Sequence, residues 1–413
     1  MTPHPIATPE QHAHEREALA LMEHPVVRAA RERVRERWLA AAEPSAEARR
    51  SFDWAFEEVM FSAAVWSLNQ DPLRPRTICI TRLEHPLDGL RVPGSRWGID
   101  NPDTLYRVIP IAGSERYRIH GRVAERRLTE NYFTLWDAKM GTVDVLSGHD
   151  LALDADRRFT IEVDAEPANG RRNHIRSAPE AHEFYIRDVL LDWAQDEPNE
   201  LSIERLGPPL ATPPRSEAEQ AERTAAMMLR FAEFTQKIAR NFLRPAPNEF
   251  GLAWSADKGG ALRSQVYIGG NFRLDEEQAM VIDVRDGGAA YFVVPTGNVW
   301  GTTYDIVRRT SSLNKAQSVA NADGSYTFVL SLRDPGVHNW IDPCGYREGI
   351  LTLRMAEFPG GRPEGELSAK SRVVPFAQLD DVLPPDTKRT SASERERQLA
   401  ARAAAYLRRL PEA

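Results

Sequence analysis

The stretch TLYRVIPIAGSERYRIHGRVAERRLTENYFTLWDA, Thr104 to Ala138, decides how this chain is read. It holds three short runs rich in β-branched and aromatic residues, TLYRVIPIAG, RYRIHGRVA and YFTLWDA, with turn residues between them. Such side chains suit a pleated, half-buried surface, and the intervening residues break it into strands. RTICITRL before it and RFTIEVDA after it continue the pattern. Strand signals at roughly ten-residue spacing predict an antiparallel meander or sandwich, here over residues 76–170.

The same pattern returns after Asn248 in SQVYIGGNFRL, QAMVIDVR, AAYFVVPT, GTTYDIVRR, SYTFVLSL and GILTLRMAEF, and predicts a second, jelly-roll-like β-domain over residues 248–390. DKGGALR and DGGAA, whose glycines match no phosphate-cradling spacing, read as hairpin turns. Each β-region carries one Trp-Gly step, Trp97-Gly98 and Trp300-Gly301, without a clear sequence repeat.

Helical spacing occupies the remaining segments. Residues 1–75 form an N-terminal helical region, with residues 1–15 loosely tethered and Phe52, Phe56, Val59, Ala63 and Trp66 on one stripe. Residues 171–247 read as a helical bridge of two helices. PEAHEFYIRDVLLDWAQDE places Ile186, Val189, Leu190 and Trp193 at helical spacing. SEAEQAERTAAMMLRFAEFTQKIARNFLR opens with a Ser216/Glu219 capping box, and its stripe of Met228, Phe231, Phe234, Ile238 and Phe242 reads as core. Residues 391–413 form a terminal helix. The expected fold class is α+β, two antiparallel β-sandwich or jelly-roll-like domains bridged and flanked by helices.

Composition narrows the function classes. The 413 residues are 42% hydrophobic and 27% charged, ordinary for a soluble globular protein. The net charge of −7, from 53 basic and 60 acidic residues interspersed, argues against a nucleic-acid partner. No window of 18 uncharged apolar residues suggests a membrane span, and the N-terminus lacks signal-peptide regions, so a cytoplasmic location is expected. Two distant cysteines, Cys79 and Cys344, make no disulfide framework, though they leave room for one bridge. The ten histidines form no HxxxH or HExxH motif, so no metal or other cofactor is expected. A calcium site on Asp100, Asn101 and Asp103 would lack the EF-hand loop.

Three polar stretches are candidate site walls. In WGIDNPDTLYR, Asn101 and Arg107 can bind a ligand, and Asp103 and Tyr106 can perform acid/base chemistry if desolvated. The structural alternative is a turn feeding the next strand. In the second β-region, Asn314 and Gln317 of SSLNKAQS, and Asn339, Trp340 and Asp342 of DPGVHNWIDPCGYREG, are convergent polar or stacking groups. Asp342 is the catalytic candidate among them and Trp300 a further platform. Amides alone orient a ligand or oxyanion, and the alternative is polar groups satisfying buried loop backbone.

DNPDTLY, FYIRDVLLDWAQDEPNELSIERL, YIGGNFRLDEEQAMVI, SSLNKAQ and DPGVHNWIDPCGYREGILTLR together resemble an uncharacterised bacterial two-domain family. It is known by two domain-of-unknown-function labels, twelve-fifty-four and twelve-fourteen. The resemblance covers residues 75–355 and implies two β-rich, roll-like domains bridged by helices; it brings no activity or catalytic residue with it. The chain departs from the family pattern at Pro343-Cys344, Tyr346 and Met355, where Thr and a small residue, His and Trp are usual.

Three functions follow. The first is an enzyme acting on a small polar or glycosidic substrate in a cleft between the β-domains, by carboxylate acid/base chemistry. The second is a non-catalytic protein binding a small molecule or glycan. The third is an assembly protein forming a homo-oligomer.

Overall fold

The computed structural model describes residues 4–255 and 264–410; DKGGALR, residues 257–263, lies outside the described residues. Two β-sandwiches, joined by a helical layer, make up the molecule. In the first, a five-stranded sheet runs in the order Ile78–Cys79, Thr104–Pro110, Ala181–Val189, Glu130–Asp137, Thr142–Ser147. A four-stranded sheet, Glu200–Arg205, Tyr117–Arg122, Arg158–Asp164, His174–Arg176, packs on it through Ile109, Ile119, Phe133, Phe159, Ile161 and Phe184.

The second sandwich has two four-stranded sheets. One runs Val266–Arg273, Glu348–Ala356, Tyr291–Gly297, Ser312–Asn314, and the other Trp340–Ile341, Tyr326–Ser331, Gln278–Asp286, Leu367–Pro375. Their shared core includes Phe272, Ile282, Phe292, Phe328, Leu351 and Leu353. Among the described strands, pairing is antiparallel except for Arg158–Asp164 with His174–Arg176 and Tyr326–Ser331 with Trp340–Ile341. The fold class is therefore α+β with sandwich-like β-domains, as the strand spacing predicts. DGGAA joins strands of different sheets and is not a hairpin.

Two further expectations fail. Residues 181–189 are a strand, not a helix, and Glu200–Arg205 is another, so the first β-domain runs to residue 205 and the bridge is the single helix Glu217–Phe242. The physical reason is that nearly every residue of Ala181–Val189 is buried. Phe184 and Ile186 point into the sandwich core while Glu183 and Tyr185 are buried on the opposite face. A strand covered on both faces loses the apolar/polar alternation, and its apolar run can then be mistaken for helix. Nor are residues 9–15 loose. A helix spans Pro9–Met22, capped by Thr8, with His14 bonded to the Val65 carbonyl and Glu15 buried against Arg82 and His85.

Helix Phe52–Leu68, buried on nearly every side, is the hub of the helical layer. It packs between Pro9–Met22 and Glu217–Phe242 and against the outer face of the first sheet, at Tyr106, Val108, Trp136 and Tyr185. The terminal helix, Ala392–Leu407, returns across the join between the sandwiches, where Tyr406 packs on Trp193.

Candidate functional site

The outer face of the first sandwich's five-stranded sheet and that of the second's Val266-containing sheet flank a cavity of about 660 Å³. Strand alternation supplies its walls. Tyr106, Tyr185, Arg187 and Trp136 share one face of the first sheet, since Arg187 lies opposite Tyr106 in the ladder and Glu183 opposite Trp136. Tyr267 and Arg354, opposite each other in the second sheet, form the facing wall with Gln265 and Gly269. The helix Glu217–Phe242 adds Phe234, Lys237, Ile238, Asn241 and Phe242, spaced to share one helix face. Its apolar stripe thus divides: Met228 and Phe231 are core, as predicted, whereas Phe234, Ile238 and Phe242 line the cavity.

The loop Trp97–Asn101 also lines it, and here the two Trp-Gly steps meet. Ile99 N donates to the Gly301 carbonyl at 2.8 Å, and both glycines take positive φ, 64° and 89°. A Cβ on Gly301 would lie 2.8 Å from Thr235 of the long helix, so only glycine lets that helix pass so close. Ile99 itself sits at φ 62°, a genuine outlier for a β-branched residue, held by Gly301 and by Arg354, which donates to its carbonyl. Asp100 lines the cavity, but both its oxygens accept from Thr303, from the backbone N at 2.9 Å and from Oγ1 at 2.7 Å.

Cations and rings dominate the electrostatics. The Arg187 guanidinium lies 4.7 Å from the Tyr185 ring and 5.6 Å from Trp136, while Arg354 donates to Tyr106 Oη at 3.3 Å. One layer behind, Glu130 is fully buried. Its Oε1 accepts from Gln265 Nε2, and its Oε2 has no hydrogen-bond partner among the described residues. Burial, reinforced by the nearby Glu357 carboxylate and opposed by Arg187 and Arg354, pushes the Glu130 carboxyl up to about 8. It is therefore a neutral acid at pH 7. Glu357 accepts from Tyr132 Oη at 2.7 Å and holds a positive φ of 55°.

Of the residues singled out from sequence, Asn101 and Tyr106 line the cavity. Arg107 does not, because alternation turns it away from Tyr106, and it is buried in an ion pair with Asp188. Asp103 is sealed, accepting from Tyr291 Oη (2.8 Å), Asn314 Nδ2 (2.9 Å) and Trp193 Nε1 (2.7 Å), and burial pushes its carboxyl up. The same bonds bring Asp103 and Asn314 together as a polar clasp between the sandwiches. The oxygens of Asp100 and Asp103 thus already accept from protein donors, Thr303 for the one and Tyr291, Asn314 and Trp193 for the other.

The remaining candidates are structural. Trp300 donates to the Ala48 carbonyl within the helical layer and borders a separate groove of about 360 Å³. Asn339 bonds the backbone of Val319 and Thr327, Trp340 donates to the Ser331 carbonyl, and Asp342 accepts from Arg309 and from Cys344 N. None of the three borders the cavity. Cys79 and Cys344 are free thiols, and burial pushes Cys344 up to about 12. Gln317 accepts from Arg402, which also donates to Ser312 Oγ and the Ile306 carbonyl and lies 4.3 Å from the Trp193 ring. Arg402→Ala is expected to lower stability by about 2–4 kcal/mol, seen as a lower urea midpoint with unchanged slope.

Sequence reasoning missed Arg187, Arg354, Tyr185, Tyr267, Gln265 and Glu130. A signal existed for two of them. In EFYIRDV and ILTLRMA a single Arg interrupts an apolar run at the phase opposite the core residues, Ile186 and Leu353.

Comparison with known proteins bears on fold alone. No family model and no curated protein matches the chain. The crystal structure of an uncharacterised protein from Burkholderia cenocepacia superposes with a TM-score of 0.73 at 22% identity, covering 88% of this chain and 100% of that one. A Vibrio parahaemolyticus structure reaches a TM-score of only 0.41 at 13% identity, over 67% and 90% of the chains. What this chain shares with the Burkholderia protein is its architecture.

Proposed function

We propose that this chain binds a small organic molecule in the cavity between its two sandwiches and the long helix. The lining carries the proposal. Rings stand on three sides, Asn101, Gln265, Lys237 and the guanidiniums of Arg187, Arg244 and Arg354 supply the polar points, and the one lining carboxylate among the described residues, Asp100, is occupied by Thr303. A volume of about 660 Å³ falls within the usual span of small-molecule sites, about 300–1,000 Å³. Hydrolysis between paired carboxylates has less support, because Asp103 and Asp342 lie outside the cavity. One observation favours an enzyme, the neutral Glu130 acid behind Gln265, but it is not part of the lining. Membership of the two-domain family that the chain resembles is part of the same proposal and rests on the phrases quoted above.

The test is a thermal-shift screen spanning sugars, amines and organic acids, repeated on Asn241→Trp, which puts a large ring on an exposed residue of the lining. A ligand at a hundredfold excess over its Kd is expected to stabilise the parent by about 2.7 kcal/mol. The variant should keep its unliganded Tm and lose that gain. Equal stabilisation of both proteins, or no stabilisation by any class, would overturn the reading.

A further inference from the structure

We propose that the occupant of this cavity is a small organic acid, its anionic group seated against Arg354 and its flat ring body lying between the aromatic walls. The proposal rests on the cavity being a binding site, and the charge balance carries it further. Arg354, Lys237 and Arg244 all line the cavity. Among the described residues none of them forms an ion pair with a carboxylate, and the two bonds that Arg354 makes go to neutral oxygens, Tyr106 Oη and the Ile99 carbonyl. A guanidinium has five N–H donors, so Arg354 keeps capacity for a further acceptor.

A cation walled in by rings interacts strongly with any anion that reaches it, because little water screens the pair. Protein interiors rarely leave such a charge without a counter-charge. Asp100, the lining carboxylate, is turned to Thr303, and Glu130 behind the wall is a neutral acid. A ligand carboxylate or phosphate supplies the missing charge and matches the planar guanidinium fork.

The walls describe the rest of the ligand. Trp97 stacks on Phe231 at 4.3 Å, Tyr185 on Trp136 at 4.2 Å, and Trp254 on Tyr267 at 4.5 Å. Tyr185 with Trp136 and Tyr267 with Trp254 are preassembled ring pairs on two walls, and Trp97, backed by the core ring of Phe231, stands on a third; offset or edge-on contact with them favours a planar body. A neutral glycan could stack there too, but it would leave Arg354 without its counter-charge.

Isothermal titration calorimetry at pH 7 on the full chain separates these cases, with 1-naphthoate, 1-naphthyl phosphate, neutral 1-naphthol and maltose as probes. Naphthoate or the phosphate, whichever the cavity prefers, is expected to bind about 10- to 100-fold more tightly than naphthol, the worth of a charge-assisted hydrogen bond. Arg354→Met should erase that difference by weakening the acids about 10- to 100-fold more than it weakens naphthol. Arg354→Lys, which keeps the charge but loses the fork, should retain part of it and serves if the Met variant does not fold. If naphthol or maltose binds as tightly as the acids and Asn241→Trp blocks it, the acid is overturned and the cavity reading stands. If no probe binds, or if Asn241→Trp blocks nothing, both are overturned.

Discussion

Glu130→Gln is expected to flatten the alkaline side of this protein's stability curve. In the folded chain the Glu130 carboxyl is held up to about 8 by burial and by Glu357, whereas an unfolded chain releases that proton near 4.5. A raised carboxyl favours the fold fully below the unfolded value. As pH rises past about 4.5, the unfolded state loses its proton first and gains, at about 1.4 kcal/mol per pH unit, until the fold releases its own near pH 8. The parent should lose about 5 kcal/mol across that window through this residue alone. Gln keeps the acceptor for Gln265 and does not titrate, so the variant should match the parent near pH 4 and exceed it at pH 8. Urea denaturation of both proteins at pH 4.5, 6, 7 and 8.5 reads the difference directly. Parallel curves would show that Glu130 ionises normally.

The second large effect is expected at Asp103. Its carboxylate gathers Trp193 from the first sandwich with Tyr291 and Asn314 from the second, and it is completely buried. Asp103→Ala leaves three buried donors without that acceptor, at about 1–3 kcal/mol each, so a loss of about 4–6 kcal/mol is expected. Asp103→Asn should cost less. One amide oxygen can still accept from Asn314 and Trp193, and Tyr291 Oη has a second acceptor in Asn101 Oδ1 at 3.2 Å. Chemical denaturation measures the ranking; an Ala variant as stable as the parent would mean the clasp contributes little to joining the sandwiches.

Both residues show why the site was only half legible. WGIDNPDTLYR was marked by its polar turn residues, and the structure does bring Asn101 and Tyr106 to the cavity. Arg107 could have been set aside from sequence, since a neighbour of Tyr106 in a strand must point to the other face. Asp103 could not, because a desolvated carboxylate awaiting chemistry and one satisfied by three distant donors look identical along the chain. Arg187 was hidden by reading a doubly buried strand as helix. Glu130 carried no signal at all: its carboxyl is raised by burial and by Glu357, against the pull of Arg187 and Arg354, and all of these depend on parts of the chain far away in sequence.

By itself, the sequence determined what local chemistry determines. β-branched runs between turns make two antiparallel sandwiches, and the Ser216/Glu219 capping box starts its helix where expected. Tertiary structure alone decided that the outer faces of two sheets, one helix stripe and a pair of Trp-Gly turns enclose a single cavity. The physical reason is range. Helix caps, turns and strand periodicity act within a few residues, whereas burial, charge balance and the pairing of buried polar groups depend on partners that only the folded chain brings together.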